Sequence, residues 1–290
     1  MREQAAQQLP KKPRPMSDEE FKLLRDLIYQ VSGLYFPDGK KYFLEIHLSR
    51  RLKELNLRSF KEYYDYLRSI KEGDPEWINL FNAVTTPETY FFRDPQHFET
   101  LEKHILPELI ERRKPGLKVL RFWSAGCSSG EEPYTLSIVL LENSNGLLNG
   151  WSFKIIGTDI STVVLKKAKD GVYSEYAVRR VPKHLLRKYF IEVRGMYYVT
   201  AEVRKPVTLL RMNLFNEREM AGMRHFDVVF CRNVLIYFDK RSKEKILEGL
   251  YNSLNPGGYL FIGSTETLFG LNTKFKPVRF PKCVVYRKEE

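Results

Sequence analysis

The chain has no apolar run long enough to cross a membrane, and 43% hydrophobic with 29% charged residues is an ordinary globular balance. A soluble protein without membrane insertion is expected. There are only three cysteines, Cys127, Cys231 and Cys283, far apart and without CxxC spacing. That argues against a zinc site or a disulfide framework, so no metal is expected and each thiol reads as a small buried hydrophobe in a reducing, intracellular setting. GxGxxG and GxxxxGK[ST] are both absent, which removes the usual dinucleotide and triphosphate cradles. Residues 1–16 carry Lys11, Lys12 and prolines but no apolar core, and read as a flexible tail rather than a signal peptide.

What is present is a glycine turn of unusual charge. Val119–Phe122 is followed by Trp123-Ser124-Ala125-Gly126-Cys127-Ser128-Ser129-Gly130-Glu131-Glu132-Pro133-Tyr134 and then by the apolar stretch 136–141. The pattern is strand, small-residue turn, helix. Small residues let the backbone approach a ligand, and a helix start offers free N–H groups. Two glutamates would repel phosphates there, so a cationic or uncharged cofactor suits the turn. S-adenosylmethionine, with a sulfonium, an ammonium and no phosphate, is such a molecule. A solvated connection between strand and helix is the alternative reading of the turn taken alone.

The net charge of +12 is unevenly spread. Residues 166–211 carry twelve Lys and Arg against Asp170, Glu175, Glu192 and Glu202, and residues 40–61 carry seven against Glu45 and Glu54. Either segment suits an acidic partner, or is a solvated face.

Residues 17–84 read as an all-α domain. Ser17 and Glu20 form a capping box before Phe21, Leu24, Ile28 and Val31, with Gly33 as a stop. A second helix covers Lys40 to Leu55, with Phe43, Ile46 and Leu52 inward and Arg50, Arg51 and Lys53 outward. Ser59 and Glu62 cap a third helix, and Asp74-Pro75 opens a fourth. Residues 85–115 read as a linker and the first helix of the next domain, entered at Asp94-Pro95. From 116 to 290, strands and helices alternate: strands at Phe153–Asp159, Val207–Leu214, Phe226–Cys231 and Tyr259–Gly263, helices at Val163–Lys169 and Arg241–Leu254. This predicts a doubly wound α/β sheet, whose ligands sit at the carboxyl ends of its strands. An antiparallel hairpin around Gly195, Ile191–Arg194 with Tyr197–Lys205, predicts a small β insert at about 190–206.

Polar residues recur at those strand ends. Asp159 can accept hydrogen bonds from both hydroxyls of a ribose, or cap the next helix. Asn213-Leu214 can meet an adenine edge, or form a turn. Beyond Cys231, Arg232-Asn233-Val234-Leu235-Ile236-Tyr237-Phe238 sets Asn233 and the Tyr237 hydroxyl beside an apolar wall.

These segments resemble the CheR family of chemotaxis receptor glutamate methyltransferases, through Thr89-Tyr90-Phe91-Phe92-Arg93, Gly130-Glu131-Glu132-Pro133-Tyr134, Thr158-Asp159-Ile160 and Cys231 to Phe238, in order, over about residues 17–288. The resemblance implies a helical N-terminal domain, a seven-stranded Rossmann-like methyltransferase domain with a β insert, and methyl transfer from S-adenosylmethionine to glutamate side chains of receptor cytoplasmic helices. It implies a cytoplasmic enzyme recruited to receptor arrays, and a monomer is expected. On matched positions it implies a cofactor lining of Thr89, Arg93, Gly126, Glu132, Asp159, Asn213, Leu214, Arg232, Asn233 and Val234, with Glu131 structural. Where some relatives have asparagine two places before the threonine, this chain has Pro87.

An ionised glutamate needs no general base for in-line displacement, so positioning and desolvation should dominate. Arg93 is expected to orient a carboxylate of the substrate or of the cofactor, and Tyr237 to hold the substrate near the sulfonium. Arg50, Arg51, Lys53 and Arg58 are expected to meet acidic receptor helices. The turn Arg194-Gly195-Met196 is brief beside the longer loop with which some members tether to a receptor C-terminal pentapeptide, so tether-independent binding is expected. Two other readings remain: a nucleic-acid methyltransferase, disfavoured because no Asn/Asp-Pro-Pro-aromatic sequence follows a strand, and a non-catalytic receptor-binding or adenosyl-sensing module.

Overall fold

The computed structural model describes residues 14–71, 73–113, 116 and 118–289, in two compact units, Met1–Thr86 and Pro87–Glu290. Most of the expected tail, residues 1–13, lies outside the described residues, as does Pro115 at the expected 115/116 boundary. Met16, assigned from sequence to the tail, is instead buried, with its N–H on Glu45. It occupies the position before the N-cap where an apolar residue fixes the entry of the chain.

The first unit contains α1 (Asp18–Ser32), α2 (Lys41–Glu54), α3 (Phe60–Ser69) and α4 (Pro75–Val84). The capping box is formed in both directions: Glu20 N donates to Ser17 Oγ at 3.1 Å and Ser17 N to Glu20 Oε2 at 2.9 Å. The chain leaves α1 through Gly33 at φ 71°, a conformation that costs glycine nothing. In α2 the inward stripe is Leu44, Leu48 and Leu52, while Ile46 is 51% exposed. The inward face therefore differs from the one expected: a spacing of four residues keeps the three leucines on one side of the helix, whereas Phe43 and Leu52, nine residues apart, lie on opposite sides.

The second unit opens with α5 (Pro95–Thr100) and α6 (Leu106–Glu111), joined by one wide π turn at Leu101–Ile105. Pro107 lacks the N–H that regular winding would use, and the widened turn precedes it. Then follow β1 (Val119–Ala125), α7 (Glu131–Glu142), β2 (Ser152–Asp159), α8 (Thr162–Asp170), β3 (Val172–Ser174), α9 (Glu175–Val178), α10 (Lys183–Tyr189), β4 (Phe190–Val193), β5 (Met196–Val199) and α11 (Ala201–Arg204). The chain continues through β6 (Val207–Arg211), α12 (Glu217–Ala221), β7 (Phe226–Cys231), α13 (Lys240–Ser253), β8 (Leu254–Ile262), β9 (Lys276–Phe280) and β10 (Cys283–Arg287).

The main sheet has seven strands in the order β6-β2-β1-β7-β8-β10-β9, parallel from β6 to β8 and antiparallel at β10 and β9. The order steps outward from β1 in both directions, β2 on one side and β7 on the other, so a crevice opens at the carboxyl ends of these strands. Every residue of β7 is buried, as expected of a central parallel strand. Phe230 stacks on Phe261 at 4.3 Å and on Phe98 at 5.7 Å, which ties α5 to the sheet just below the crevice.

The insert departs from its sequence description. It is a three-stranded sheet, β3-β5-β4, which recruits Val172–Ser174 from well before 190. Its second strand stops at Val199, and Ala201–Arg204 is helical rather than extended. β6 ends at Arg211, which leaves Asn213-Leu214 in the turn beyond it. β8 begins at Leu254, so Asn255-Pro256-Gly257-Gly258 is an irregular start of the strand, where Gly257 and Gly258 bond with Lys288.

Candidate functional site

The crevice is built from the ends of β1, β2 and β7 and the segment before α5. After β1 the chain makes the glycine turn. Gly126 has φ 78° and Gly130 φ 94°, and a Cβ on Gly126 would lie 2.4 Å from Val234 Cγ2. Only glycine lets the turn close on the loop after β7. Gly126 N and Cys127 N both donate to Thr158 O at 2.8 Å, stitching the turn to β2.

Asp159, the last residue of β2, has its two oxygens oriented by backbone: Ser128 N reaches Oδ2 and Ser161 N reaches Oδ1, both at 2.9 Å. Burial raises its pKa, and the N–H groups of Ser161, Ser128 and Ile160 oppose that. The carboxylate is fixed in direction while remaining partly exposed, as an acceptor for paired hydroxyls should be.

The two glutamates of the turn do different things. Glu131 is buried and accepts from Ser129 Oγ at 2.8 and 2.9 Å; burial pushes its pKa up to about 7, against the opposing effect of its own backbone N–H and Ser129. Glu132 accepts from Ser124 Oγ at 2.6 Å and from Arg232 Nη1 at 3.0 Å. Burial raises its pKa, partly offset by Arg232.

Arg232, expected to touch the cofactor, is instead an internal cation with a 2% exposed side chain. Besides Glu132 it donates to Arg93 O at 2.5 Å and to Asp94 Oδ2 at 2.8 Å. It thereby ties the loop after β7 to the start of α5 and to α7. Burial alone would raise the Asp94 pKa, but Arg232 beside it brings it below the usual carboxylate range. The reason sequence missed this role is that Asp94 and Glu132 come from two distant segments.

Asn213 is buried, and its Oδ1 accepts from Phe215 N at 3.0 Å, a turn built on its own side chain. Leu214 is buried next to it, and Thr89 is half-buried in the segment before α5. Asn233 stands at φ 59°, and its Oδ1 is buried and accepts no hydrogen bond from the described residues. Ser128 Oγ is in the same condition. Unsatisfied polar atoms on the glycine turn and on the facing loop are what a polar ligand would satisfy. Together with the fixed Asp159 carboxylate and the close approach at Gly126, they fit the adenosyl and amino-acid portions of S-adenosylmethionine.

Tyr237 ends a tight turn, Leu235–Tyr237, and is 44% exposed. Burial raises its phenol pKa, and Arg93, Glu88, Asp159 and Glu266 all lie within electrostatic range of it. Arg93 is half-buried, donates to Glu88 O at 2.8 Å, and lies within range of Glu132. Burial pushes the thiols of Cys127 and Cys231 well up, so neither is a nucleophile at neutral pH. No group of three or more metal-ligating side chains occurs among the described residues, and no helix among them is long and apolar enough to cross a membrane.

Arg50, Lys53 and Arg58 lie in the first unit and are exposed. Arg51 is put to a different use from the one expected. Its guanidinium bonds Glu76 at 2.5 and 2.9 Å and also Glu54, and only 13% of its side chain is exposed. Glu76, buried at the start of α4, required a cation, and Arg51 one turn from the end of α2 is the one that reaches it.

Residues 19–85 match the family described as CheR methyltransferase, all-alpha domain, and residues 87–284 match CheR methyltransferase, SAM binding domain. Chemotaxis protein methyltransferase 2 of Vibrio cholerae is 38% identical over 274 residues, covering 94% of each chain. A chemotaxis protein methyltransferase of Borreliella burgdorferi is 35% identical over 257 residues, covering 88% of this chain and 90% of its own. Chemotaxis protein methyltransferase 1 of Pseudomonas aeruginosa is 35% identical over 276 residues, covering 93% and 98%.

Proposed function

The chain belongs to the CheR methyltransferase family, and from that premise we propose that it transfers methyl groups to glutamate side chains on the cytoplasmic helices of chemoreceptors, forming methyl esters. The observation that carries the reading is that Arg93 and the half-exposed Tyr237 lie within electrostatic range of each other at the crevice, where Glu132 is already paired with Arg232. Glu132 is paired with Arg232, Asp159 is oriented by backbone amides, and Ser128 Oγ and Asn233 Oδ1 are assigned to the cofactor, so the donors this reading gives to the acceptor are the Arg93 cation and the Tyr237 hydroxyl. That combination suits an anion.

S-adenosylmethionine, when bound, supplies a methyl on an electrophilic sulfonium, which a carboxylate oxygen takes by in-line displacement. The chain's own residues prepare that step. Asp159 and the orphaned Asn233 Oδ1 orient the cofactor, while the Arg232 bridge to Glu132 and Asp94 fixes the crevice walls. Arg93 aligns a carboxylate through charge-assisted hydrogen bonds, and the Tyr237 hydroxyl donates to the second oxygen. No proton has to be removed from the acceptor, which is consistent with the buried, inert state of the nearby thiols.

In the first unit, Arg50, Lys53 and Arg58 provide the surface on which an acidic helix is steered. Arg51 leaves that set because its charge is spent on Glu76. The short turn of the insert, Arg194-Gly195-Met196 between β4 and β5, supports recognition without a receptor tail. The enzyme acts inside the cell, where these receptor domains lie. The proposal is tested by incubating a receptor cytoplasmic fragment with enzyme and cofactor and locating the added mass of a methyl group by peptide mass spectrometry. The mass should appear on glutamate residues; its appearance on lysine, or on nucleic acid offered in competition, would reject the reading.

A further inference from the structure

Glu266 lies three residues past the expected end of the β8 strand, in the stretch Gly263-Ser264-Thr265-Glu266, and takes no part in the cofactor lining expected from sequence. Its carboxylate nevertheless gathers three backbone N–H groups. Oε2 accepts from Gly263 N at 2.6 Å and from Asn233 N at 2.8 Å, and Oε1 accepts from Ile236 N at 3.2 Å. Its own N–H closes the turn on Gly263 O at 2.9 Å. The side chain thus clamps the end of β8 to both sides of the loop after β7.

Each of those amides needs an acceptor from outside its own element. Ile236 N is at the start of the tight turn Leu235–Tyr237, where the first N–H groups have no partner within the turn. Asn233 is in left-handed conformation at φ 59°, which its own side chain tolerates but does not enforce. Gly263 is glycine for reasons of space. A Cβ there would lie 2.7 Å from Glu266 Oε2, 2.8 Å from Asn233 Nδ2 and 3.0 Å from Asn233 N. On its other side the loop is fixed by Arg232, so Asn233 sits between two charged anchors while its own Oδ1 accepts no hydrogen bond from the described residues.

We infer that Glu266 is a positioning residue: by accepting from the amides of Asn233 and Ile236 it fixes the turn that presents Asn233 to the cofactor. The inference rests on the reading of the crevice as an S-adenosylmethionine site and adds a residue to it. Glu266 does not itself touch the reacting atoms. Glutamine in its place can still accept from Asn233 and Gly263 with its single oxygen, but its amide nitrogen then faces Ile236 N, donor against donor.

The test is calorimetric binding of S-adenosylhomocysteine, whose neutral sulfur removes any direct attraction between the Glu266 charge and a sulfonium. Wild type, Glu266→Gln, Asn233→Ala and the double variant are compared, with melting curves to establish folding. Glu266→Gln should weaken binding about tenfold, the worth of one charge-assisted hydrogen bond, and the double variant should bind no more weakly than Asn233→Ala within about twofold. Unchanged affinity in Glu266→Gln, or additive losses in the double variant, overturns the inference. Glu266→Asp, which keeps the charge but falls short of two elements at once, serves if the glutamine variant does not fold, with the same outcomes expected. Failure of the wild type to bind S-adenosylhomocysteine would instead overturn the reading of the crevice itself.

Discussion

Two adjacent glutamates, alike in sequence, are separated by a few ångströms of packing into unlike roles. Among the described residues no cation bonds Glu131, which relies on Ser129, and burial, only partly opposed by the Lys167 charge, pushes its pKa up to about 7; Glu132 is paired with Arg232. A carboxyl whose pKa is higher folded than unfolded stabilises the fold most at low pH. Its contribution is complete below about 4.5 and is lost as pH rises through 7. Glu131→Gln should therefore abolish a decline in stability across that window, worth up to about 3 kcal/mol, and raise the melting temperature at pH 8 relative to wild type. Parallel pH profiles for the two proteins would count against this. For the acceptor end, Arg93→Ala should lower kcat/KM roughly 100-fold and Tyr237→Phe at least about tenfold, with folding intact, because both are asked to act on the reacting carboxylate. Arg93 fastens Arg232 through its backbone oxygen, which alanine retains, so the crevice wall survives the first change. Full turnover in either variant removes that residue from the mechanism.

At the level of elements, what could be read from the sequence was what local chemistry determines. Ser17 with Glu20, Gly33, Asp74-Pro75 and the run Phe226–Cys231 each carry their structure within a few residues. What could not be read depended on partners distant along the chain. β3 is three residues long and exists because β5 offers it an edge; β9 and β10 follow a turn-rich stretch with little alternation of their own. The site shows the same division. Asp159 and the glycine turn are legible because strand, turn and helix follow one another directly. The Arg232 bridge and the Glu266 clamp join segments about 100 and 33 residues apart, and no spacing reveals them. Arg51 is the same case in the first unit. Arg51→Ala leaves Glu76, with Tyr63 hydrogen-bonded to it, as an unpaired buried carboxylate. It should destabilise that unit by about 3 kcal/mol, measured by denaturant unfolding, whereas Arg50→Ala on the exposed face should cost less than about 0.5 kcal/mol. Similar losses for the two would mean that the Glu76 pairing contributes nothing.

At the scale of the whole molecule, the basic balance of +12 does not require nucleic acid. Arg232, held between Glu132 and Asp94, is one internal cation that offers no surface charge, and the exposed cations Arg50, Lys53 and Arg58 on α2 and just after it suit acidic helices. Reversing Arg50, Lys53 and Arg58 to glutamate should raise KM for a receptor fragment severalfold while leaving S-adenosylhomocysteine affinity within about twofold, and the KM effect should shrink with added salt. An unchanged KM would detach this surface from substrate binding. The central claim, that the acceptor is a carboxylate, is tested most directly by the chemistry of the bond formed. Receptor fragments labelled from methyl-labelled cofactor should release the label as methanol in mild base, as an ester does. Label that stays on the protein through base treatment, or that transfers to nucleic acid instead, would contradict the account.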